Sequence, residues 1–275
     1  MHTIRRPAVA GAFYPGSRQV LSRDIETLLD EVAPDTDQAI SQAPPKAIVV
    51  PHAGYIYSGQ TAASAYARLA AGRKTIKRVI LLGPVHRVPV RGLALPGADA
   101  FATPLGEIAL DKAAIALLAG LKQVVVSPAV HAQEHSLEVQ LPFLQSVLDD
   151  FKLVPLAVGD ATAAEVAQVL EVLWGGPETV VVVSSDLSHY LPYADANAVD
   201  LQTVQSILGM KASLTHSQAC GGTPVNGLIL AAGKHHLRPQ LLGLCNSGDT
   251  AGDRSRVVGY ASFIFTEQAS HASHA

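Results

Sequence analysis

Three short motifs, each following an apolar run, carry side chains that could take part in chemistry. They are Val-Val-Pro-His-Ala-Gly-Tyr (49–55), Leu-Leu-Gly-Pro-Val-His (81–86) and Val-Val-Ser-Ser-Asp-Leu-Ser-His (182–189), and a lone Cys-Gly-Gly (220–222) follows. Because the strands of an open α/β sheet deliver their last residues into a common crevice, we expect these groups to lie close together. Imidazole together with thiolate indicates transition-metal chemistry.

His52 and His86 occupy equivalent places after two predicted strands. Pro51 removes a backbone donor and ends the first strand, whereas a Gly-Pro pair supplies the turn after the second. The structural alternative is that each histidine is merely satisfied by backbone hydrogen bonds at a strand end. The repetition of the arrangement favours a shared functional site, since loops at strand ends are enriched in function.

Asp186 and His189 follow a third predicted strand. On a helix-like turn their i, i+3 spacing would place carboxylate and imidazole on one side. A carboxylate beside an imidazole fixes its tautomer and raises its basicity, which suits a general acid or base. Ser-Ser-Asp before a turn is also typical of helix capping, so a capping role for Asp186 stays open.

Cys220 precedes Gly-Gly-Thr-Pro at the start of a predicted helix. Backbone amides at that position lower the pKa of a thiol and favour the thiolate, which binds metals and attacks electrophiles. The alternative is a buried, inert cysteine. Cys245 lies in the apolar stretch Leu-Leu-Gly-Leu-Cys and is predicted to belong to the core.

The segment Glu-His-Ser-Leu-Glu (134–138) leads into an amphipathic helix. Helix capping would account for part of this set. We also expect Glu134 and His135 to reach the site from the facing loop. His131 has no comparable context, and His216, His235 and His236 are predicted to be surface residues.

Strand and helix patterns alternate along the chain. Continuous apolar runs predict strands covered on both faces, and hence a three-layer α/β sandwich with a mostly parallel or mixed central sheet. One domain (1–267) and a flexible tail (268–275), whose His271 and His274 dangle, are expected. Predicted strands are 47–50, 79–82, 124–126, 153–158, 180–183 and 257–265, the last closing an edge. Predicted helices are 17–32, 59–69, 111–121, 135–148, 163–173, 196–208 and 225–233.

Composition narrows the class of protein. Hydrophobic residues make up 48% of the 275 residues, charged residues 16%, and the formal net charge is −3. The chain lacks a basic stripe, so no nucleic-acid partner is expected. Two cysteines suit a reducing compartment, and neither a secretory leader nor a transmembrane run is evident. We therefore expect a cytoplasmic protein without a membrane partner.

Together, the motifs resemble the Memo family, whose bacterial and archaeal branch is called the AmmeMemoRadiSam system protein B. The resemblance rests on ordered motifs spanning nearly the whole chain. These are Arg-Pro-Ala-Val-Ala-Gly-Ala-Phe-Tyr-Pro (6–15), Pro-His-Ala-Gly-Tyr (51–55), Leu-Gly-Pro-Val-His (82–86), Glu-His-Ser-Leu-Glu (134–138), Ser-Ser-Asp-Leu-Ser-His (184–189) and Cys-Gly (220–221).

The resemblance implies a fold similar to the class III extradiol dioxygenases of the LigB type, an α/β sandwich around a metal crevice. It implies a metal site at His52, His86 and Cys220, with Asp186 and His189 in the same pocket. Iron(II) is the implied metal, with copper or zinc as alternatives. The resemblance also implies redox chemistry, and in animal relatives it points to cell motility signalling and peptide binding.

Two departures from related proteins affect this interpretation. Related dioxygenases complete their iron site with a carboxylate, whereas Cys220 would supply a thiolate here, which favours softer metals. Arg87 follows the metal histidine where animal relatives carry another histidine, and its charge could attract an anionic ligand. With Tyr55, Glu134 and His135, Arg87 completes the predicted pocket.

Three functions are compatible with these residues. The first is an iron(II)- or copper-dependent oxidoreductase of extradiol-dioxygenase type acting on a small molecule, with aromatic compounds among the candidates, in which His189 moves protons and Asp186 orients it. The second is a non-catalytic module that handles metal or binds a peptide or protein in the same crevice. The third is a zinc-dependent hydrolase, because two histidines, a thiolate and a water also describe catalytic zinc.

Overall fold

A nine-stranded mixed β-sheet forms the centre of the protein in the computed structural model, which describes residues 2–32 and 43–267. A second, smaller sheet has three strands and shares a hydrophobic core with the main sheet through Phe101 and Ile108. The strands of the described residues are β1 (Ile4–Arg5), β2 (Ala47–Val50), β3 (Arg78–Pro84), β4 (Leu93–Leu95), β5 (Ala100–Thr103), β6 (Gly106–Ala109), β7 (Val124–Val126), β8 (Lys152–Val158), β9 (Thr179–Ser184), β10 (His189–Leu191), β11 (Leu237–Asn246) and β12 (Val257–Glu267).

Four adjacent parallel strands, in the order β2-β9-β3-β8, form the middle of the main sheet. Val50 pairs with Ser184, and Leu82 with Val183, so three of these strands end at the same level. Their last residues therefore open onto one edge of the sheet, which is where open α/β folds place their sites.

Alternate residues of the central strands face two separate hydrophobic cores. In β9, Val180 and Val182 belong to one core, and Val181 and Val183 to the other. Burial on both faces explains why these strands are continuous apolar runs. The helices of the described residues are α1 (Arg18–Glu31), α2 (Tyr55–Leu69), α3 (Lys112–Ala116), α4 (Pro128–Ala132), α5 (Leu141–Val147), α6 (Ala163–Leu173), α7 (Tyr193–Leu208) and α8 (Gly222–Lys234).

Helices cover the sheet on both faces, which confirms the predicted three-layer α/β sandwich. Buried residues of α1, α2 and α5 join the first core, whereas those of α6, α7 and α8 join the second. No helix within 2–32 or 43–267 has both the length and the apolar character needed to cross a bilayer. The predicted tail at 268–275 lies outside the described residues, and the single domain stays a prediction.

The prediction that strand 257–265 closes an edge is wrong. Strand β12 lies inside the sheet. Along one edge it pairs antiparallel with β11, and along the other edge it pairs antiparallel with β2 and β10. Strand β11 escaped prediction because only its end residues, Leu237 and Asn246, are buried and because the polar stretch Arg238-Pro239-Gln240 follows its first residue.

The predicted helix 135–148 is shorter in the structure. A 3-10 helix, Glu138–Gln140, precedes α5, and residues 134–137 form an irregular loop. The helix at 111–121 is likewise reduced to α3. Because the loop at 134–137 is free of helical geometry, it can reach the carboxyl edge of the sheet.

A buried carboxylate anchors the N-terminal segment beside this loop. Glu138 pairs with the Arg5 guanidinium and accepts hydrogen bonds from the backbone N–H groups of Ala8 and Val9 and from the Tyr14 hydroxyl. The Arg5 side chain also donates to the backbone carbonyl of Glu134. The N-terminal motif thus serves to fasten the first residues of the chain to the loop that carries Glu134.

Replacing Glu138 with alanine should lower the free energy of unfolding by about 3–5 kcal/mol, because it leaves the Arg5 guanidinium buried without its counter-ion. Urea unfolding followed by circular dichroism measures this loss. The matched control is Asp149→Ala, which breaks an ion pair between Arg73 and Asp149. The side chains of these two residues are 46% and 44% exposed, respectively. The Asp149→Ala substitution should cost less than about 1 kcal/mol. Equal losses would contradict the anchoring role of Glu138.

Candidate metal centre

Two loops from the carboxyl edge of the sheet converge with the start of α8. His52 follows β2, His86 follows β3, and Cys220 lies two residues before α8. Donor atoms of these three residues all lie within 4.8 Å of one another. The two imidazole rings are 5.2 Å apart between centroids.

The spacing of these donors is suitable for a metal ion. Cys220 Sγ lies 3.5 Å from His52 Nε2. A tetrahedral ion with typical metal–sulfur and metal–nitrogen distances would hold two such atoms about 3.5 Å apart. The donor set predicted by resemblance is therefore brought together by the fold, and two imidazoles with one sulfur suit iron, copper or zinc.

A hydrogen-bond network determines which nitrogen of His52 faces the sulfur. The Ser184 hydroxyl donates to the carbonyl of Ser136 at 2.7 Å and receives the Gln140 amide N–H at 2.8 Å. Its contact with His52 Nδ1, at 2.9 Å, therefore requires that Nδ1 carry the proton. His52 Nε2 is left with its lone pair toward Cys220.

The orientation of Gln140 is itself determined by its neighbours. Its Oε1 accepts the Tyr66 hydroxyl at 2.9 Å, and its Nε2 also donates to the carbonyl of Pro51. Burial lowers the pKa of His52 well below its usual value, with His135 and His86 adding to the effect. His52 is therefore neutral near pH 7, the form that binds a metal.

Glu134 plays the corresponding role for His86. The carboxylate receives His86 Nδ1–H at 2.8 Å and the backbone N–H of His86 at 2.5 Å. Burial acts to raise the pKa of Glu134, but the hydrogen bond and charge of His86 and further backbone N–H donors lower it to about 2. Nδ1 of His86 is thus committed to Glu134, and Nε2 is the atom that remains for His52 and Cys220. Carboxylate–histidine pairs of this kind orient metal ligands.

Cys220 differs from the sequence-based expectation in its acidity. Burial raises the pKa of its thiol to about 12, and the charge of Asp186 adds to the increase. Its position before α8 does not overcome these effects, so the expected lowering of the pKa is wrong for the metal-free protein. A bound cation would supply the compensating charge.

Asp186 is bonded to His52 rather than to His189. Its Oδ1 receives the backbone N–H of His52 at 2.7 Å, and Oδ2 lies 3.9 Å from His52 Nε2. The residues that follow form strand β10, so the helix-capping alternative is wrong. Burial raises the pKa of this carboxyl.

His189 lines the same cavity at the start of β10. Its Nδ1 lies 2.9 Å from the carbonyl oxygen of Leu187. Since a carbonyl can only accept, Nδ1 carries the proton and Nε2 of the neutral ring is a base. His189 therefore has the tautomer required of a proton acceptor.

The cavity above these residues has a volume of about 940 Å³. Several residues of its walls were not predicted from the sequence, among them His216, which is exposed as predicted but also lines this cavity. These residues come from loops and strands distant in sequence, and no motif marks them. The lining includes Phe13, Tyr57, Tyr190, His216, Arg256 and Tyr260.

The four remaining predicted pocket residues have different positions. His135 lines the cavity, with its ring 5.4 Å from that of His52. Glu134 is buried behind His86. Tyr55 lies in the core, where its hydroxyl donates to the carbonyl of Val139. Arg87 is exposed; burial and the charge of His86 lower the pKa of His135, and the charge of Arg87 adds to that decrease.

The other histidines and Cys245 have local roles. His131 is buried with Nε2 beside the carbonyl of Ala94, and His235 stacks on Trp174 at 4.0 Å. Cys245 is only half-buried, so its predicted place in the core is wrong in part, and its Sγ contacts the Thr61 hydroxyl. His271 and His274 lie outside the described residues.

The fold and the site define an α/β protein with a candidate His-His-Cys metal centre. The family model for Memo-like proteins matches residues 5–264. A MEMO1 family protein of Archaeoglobus fulgidus is 35% identical over 281 residues, covering 95% of this chain and 99% of the relative. Those of Aeropyrum pernix and Aquifex aeolicus are 36% and 35% identical, covering 94% and 95% of this chain and 98% and 99% of the relatives. The chain belongs to the Memo-like family.

Replacing Ser184 with alanine should weaken metal binding about 10- to 100-fold, because the proton on His52 Nδ1 loses its acceptor. Calorimetric titration of the metal-free protein with Co²⁺ measures the change. The matched control is Ser262→Ala, which removes a buried hydroxyl without a hydrogen-bond partner among the described residues. If both variants bind Co²⁺ as the parent does, Ser184 does not orient the ligand.

Proposed function

We propose that this protein binds one transition metal at His52, His86 and Cys220 and acts as an iron(II)-dependent oxidoreductase of extradiol-dioxygenase type. The observation that carries the proposal is the convergence of three donors, with Nδ1 of each histidine engaged in a hydrogen bond so that Nε2 is the nitrogen left for a metal. Three protein ligands leave coordination positions open toward the cavity, as catalytic sites require. Copper is the second candidate metal, because a thiolate favours softer ions.

When bound, iron(II) would supply the one-electron and oxygen chemistry that amino-acid side chains lack. Side chains of the protein would carry out proton transfer and positioning. His189, with Nε2 as a free base, would accept a proton from a hydroxyl of the substrate. Asp186, buried against His52, would hold the loop after β2 in place and contribute negative charge close to His52 Nε2. Its role is to position rather than to react.

A small aromatic molecule suits the cavity, with dioxygen as the oxidant. Phe13, Tyr57, Tyr190 and Tyr260 contribute aromatic rings to its lining. Aromatic pairs prefer edge or offset contacts, which a planar ring can satisfy against several of these walls. His189 faces the same space and could reach a phenolic hydroxyl there.

A non-catalytic role in metal handling or peptide binding is the second candidate. The thiol of Cys220 favours it, since related dioxygenases use a carboxylate as the third ligand. The cavity volume of about 940 Å³ also favours it, because a cavity of this size could admit a peptide side chain. Zinc-assisted hydrolysis is weaker, although two histidines and a thiolate also occur around catalytic zinc.

Two substitutions separate binding from turnover. After anaerobic loading with iron(II), His52→Ala should lose the metal, whereas His189→Ala should retain it and lose at least about 100-fold in rate, the scale of general acid–base catalysis. Elemental analysis and oxygen uptake with a panel of catechols measure both. Phe13→Leu, which keeps an apolar wall, serves as the control for folding and loading. Iron retention with no turnover by the parent protein on any catechol would favour the non-catalytic alternative.

Metal binding should strengthen as pH rises toward the pKa of Cys220. The thiol is protonated at neutral pH, so coordination must displace its proton, and affinity should rise about tenfold per pH unit between pH 6 and 8. Calorimetry in buffers of different ionisation enthalpy counts the released protons. The steepness should decrease in Cys220→Ser, which offers no thiol. An unchanged slope would show that sulfur is not a ligand.

A further inference from the structure

A second group of metal-binding side chains lies beside the first and shares one residue with it. His86, Glu134 and His135 each offer a donor atom within 4.8 Å of the other two. We propose that these residues form a second cation site, nearer the surface, for a divalent first-row metal such as Zn²⁺ or Co²⁺. This inference does not depend on the oxidoreductase function proposed above.

The spacing of the donor atoms supports coordination. Glu134 Oε1 lies 2.8 Å from His86 Nδ1 and 3.4 Å from His135 Nδ1. With metal–ligand distances of about 2.0–2.2 Å and angles of about 90–110°, ligand atoms on one ion lie about 2.8–3.6 Å apart. The two imidazole rings are 4.6 Å apart between centroids. A cation would therefore need only a small adjustment of the His135 ring.

The surroundings hold the acidic ligand in place. Besides His86, Glu134 Oε1 receives the backbone N–H groups of His135 and Ser136, both at 2.9 Å. These bonds fix the position of the carboxylate oxygen. A carboxylate held between two imidazoles is a preorganised arrangement for a divalent cation.

The two sites differ in depth and in chemistry. His52 and Cys220 are buried, with relative exposures of 1% and 8%, whereas the side chains of His86 and His135 are 26% and 16% exposed. The inner set offers two nitrogens and a sulfur, and the outer set two nitrogens and an oxygen. Sulfur favours softer ions, whereas carboxylate with imidazole suits zinc and other borderline divalent ions.

His86 connects the two sites through opposite atoms of one ring. Nδ1 faces Glu134, and Nε2 is the atom available to the inner set. A cation at the outer site would replace the Nδ1 proton, which passes to solvent. When both sites are filled, the deprotonated ring of His86 would bridge them, so occupation of one site would alter the metal at the other.

The alternative is that Glu134 only orients His86 for the inner site. Both interpretations include the same 2.8 Å contact, so the parent protein with one metal bound cannot separate them. They diverge in the double variant His52→Ala/Cys220→Ser, which lacks two inner ligands and keeps the outer set complete. An orienting carboxylate would then bind nothing, whereas a ligand would still hold a cation.

The experiment is a Co²⁺ titration of metal-free His52→Ala/Cys220→Ser, followed by calorimetry and visible absorption. We expect one equivalent of Co²⁺ to bind with a ligand-field spectrum and no thiolate charge-transfer band. Adding His135→Ala should weaken this binding more than about 100-fold, since loss of a ligand exceeds the 10- to 100-fold cost of losing an outer-shell partner. Adding His216→Ala, the matched control from the same cavity wall, should leave it unchanged.

The proposal is overturned if the double variant has native circular dichroism and binds no Co²⁺, or if binding survives His135→Ala undiminished. Should the double variant fail to fold, the parent chain decides the matter. It should bind a second equivalent of Co²⁺ that is lost in His135→Ala while the thiolate band of the first remains. Saturation of the parent at one equivalent overturns the proposal. A missing thiolate band with retained His135-dependent binding would instead refute the inner site alone.

Discussion

A single buried hydroxyl links the parts of the molecule on which the candidate metal centre depends. Ser184, the last residue of β9, contacts His52 Nδ1, receives the Gln140 amide and donates to the carbonyl of Ser136. Because the hydroxyl has only one proton, its donation to a carbonyl obliges the imidazole to be the donor in the other contact. The direction of the bond from Ser184 to Ser136 therefore determines which nitrogen of His52 is available to a metal. The same bond connects the end of β9 to the loop at 134–137.

The parallel centre of the sheet determines where this network can form. Strands β2, β9 and β3 end at the same edge, so their following residues meet, even where they are as far apart in the chain as His52 and Asp186, 134 positions. The two cores on either face make these strands rigid, since alternate residues are packed against different helices. The side chains that follow the ends of these strands are therefore held with little freedom.

Burial determines the ionisation of the groups in the site. Two groups that ionise to negative charge, Asp186 and Cys220, have raised pKa values because they are buried, and the imidazole of His52 is kept neutral for the same reason. Burial without compensation favours the uncharged form of every group. A cation reverses this balance, because it stabilises the thiolate and the carboxylate at once.

Local pattern determined the central strands, the layered α/β class and the positions of His52, His86 and Cys220, since apolar runs and turn residues act within a few positions of themselves. The bonding of Asp186 to His52, the high pKa of Cys220 and the internal place of β12 were decided by tertiary structure, because each depends on residues far away in sequence. Tertiary structure also decided that His216 and Arg256 line the cavity. Periodicity reports which face of an element is covered, whereas hydrogen-bond partners and burial are set only when distant segments pack together.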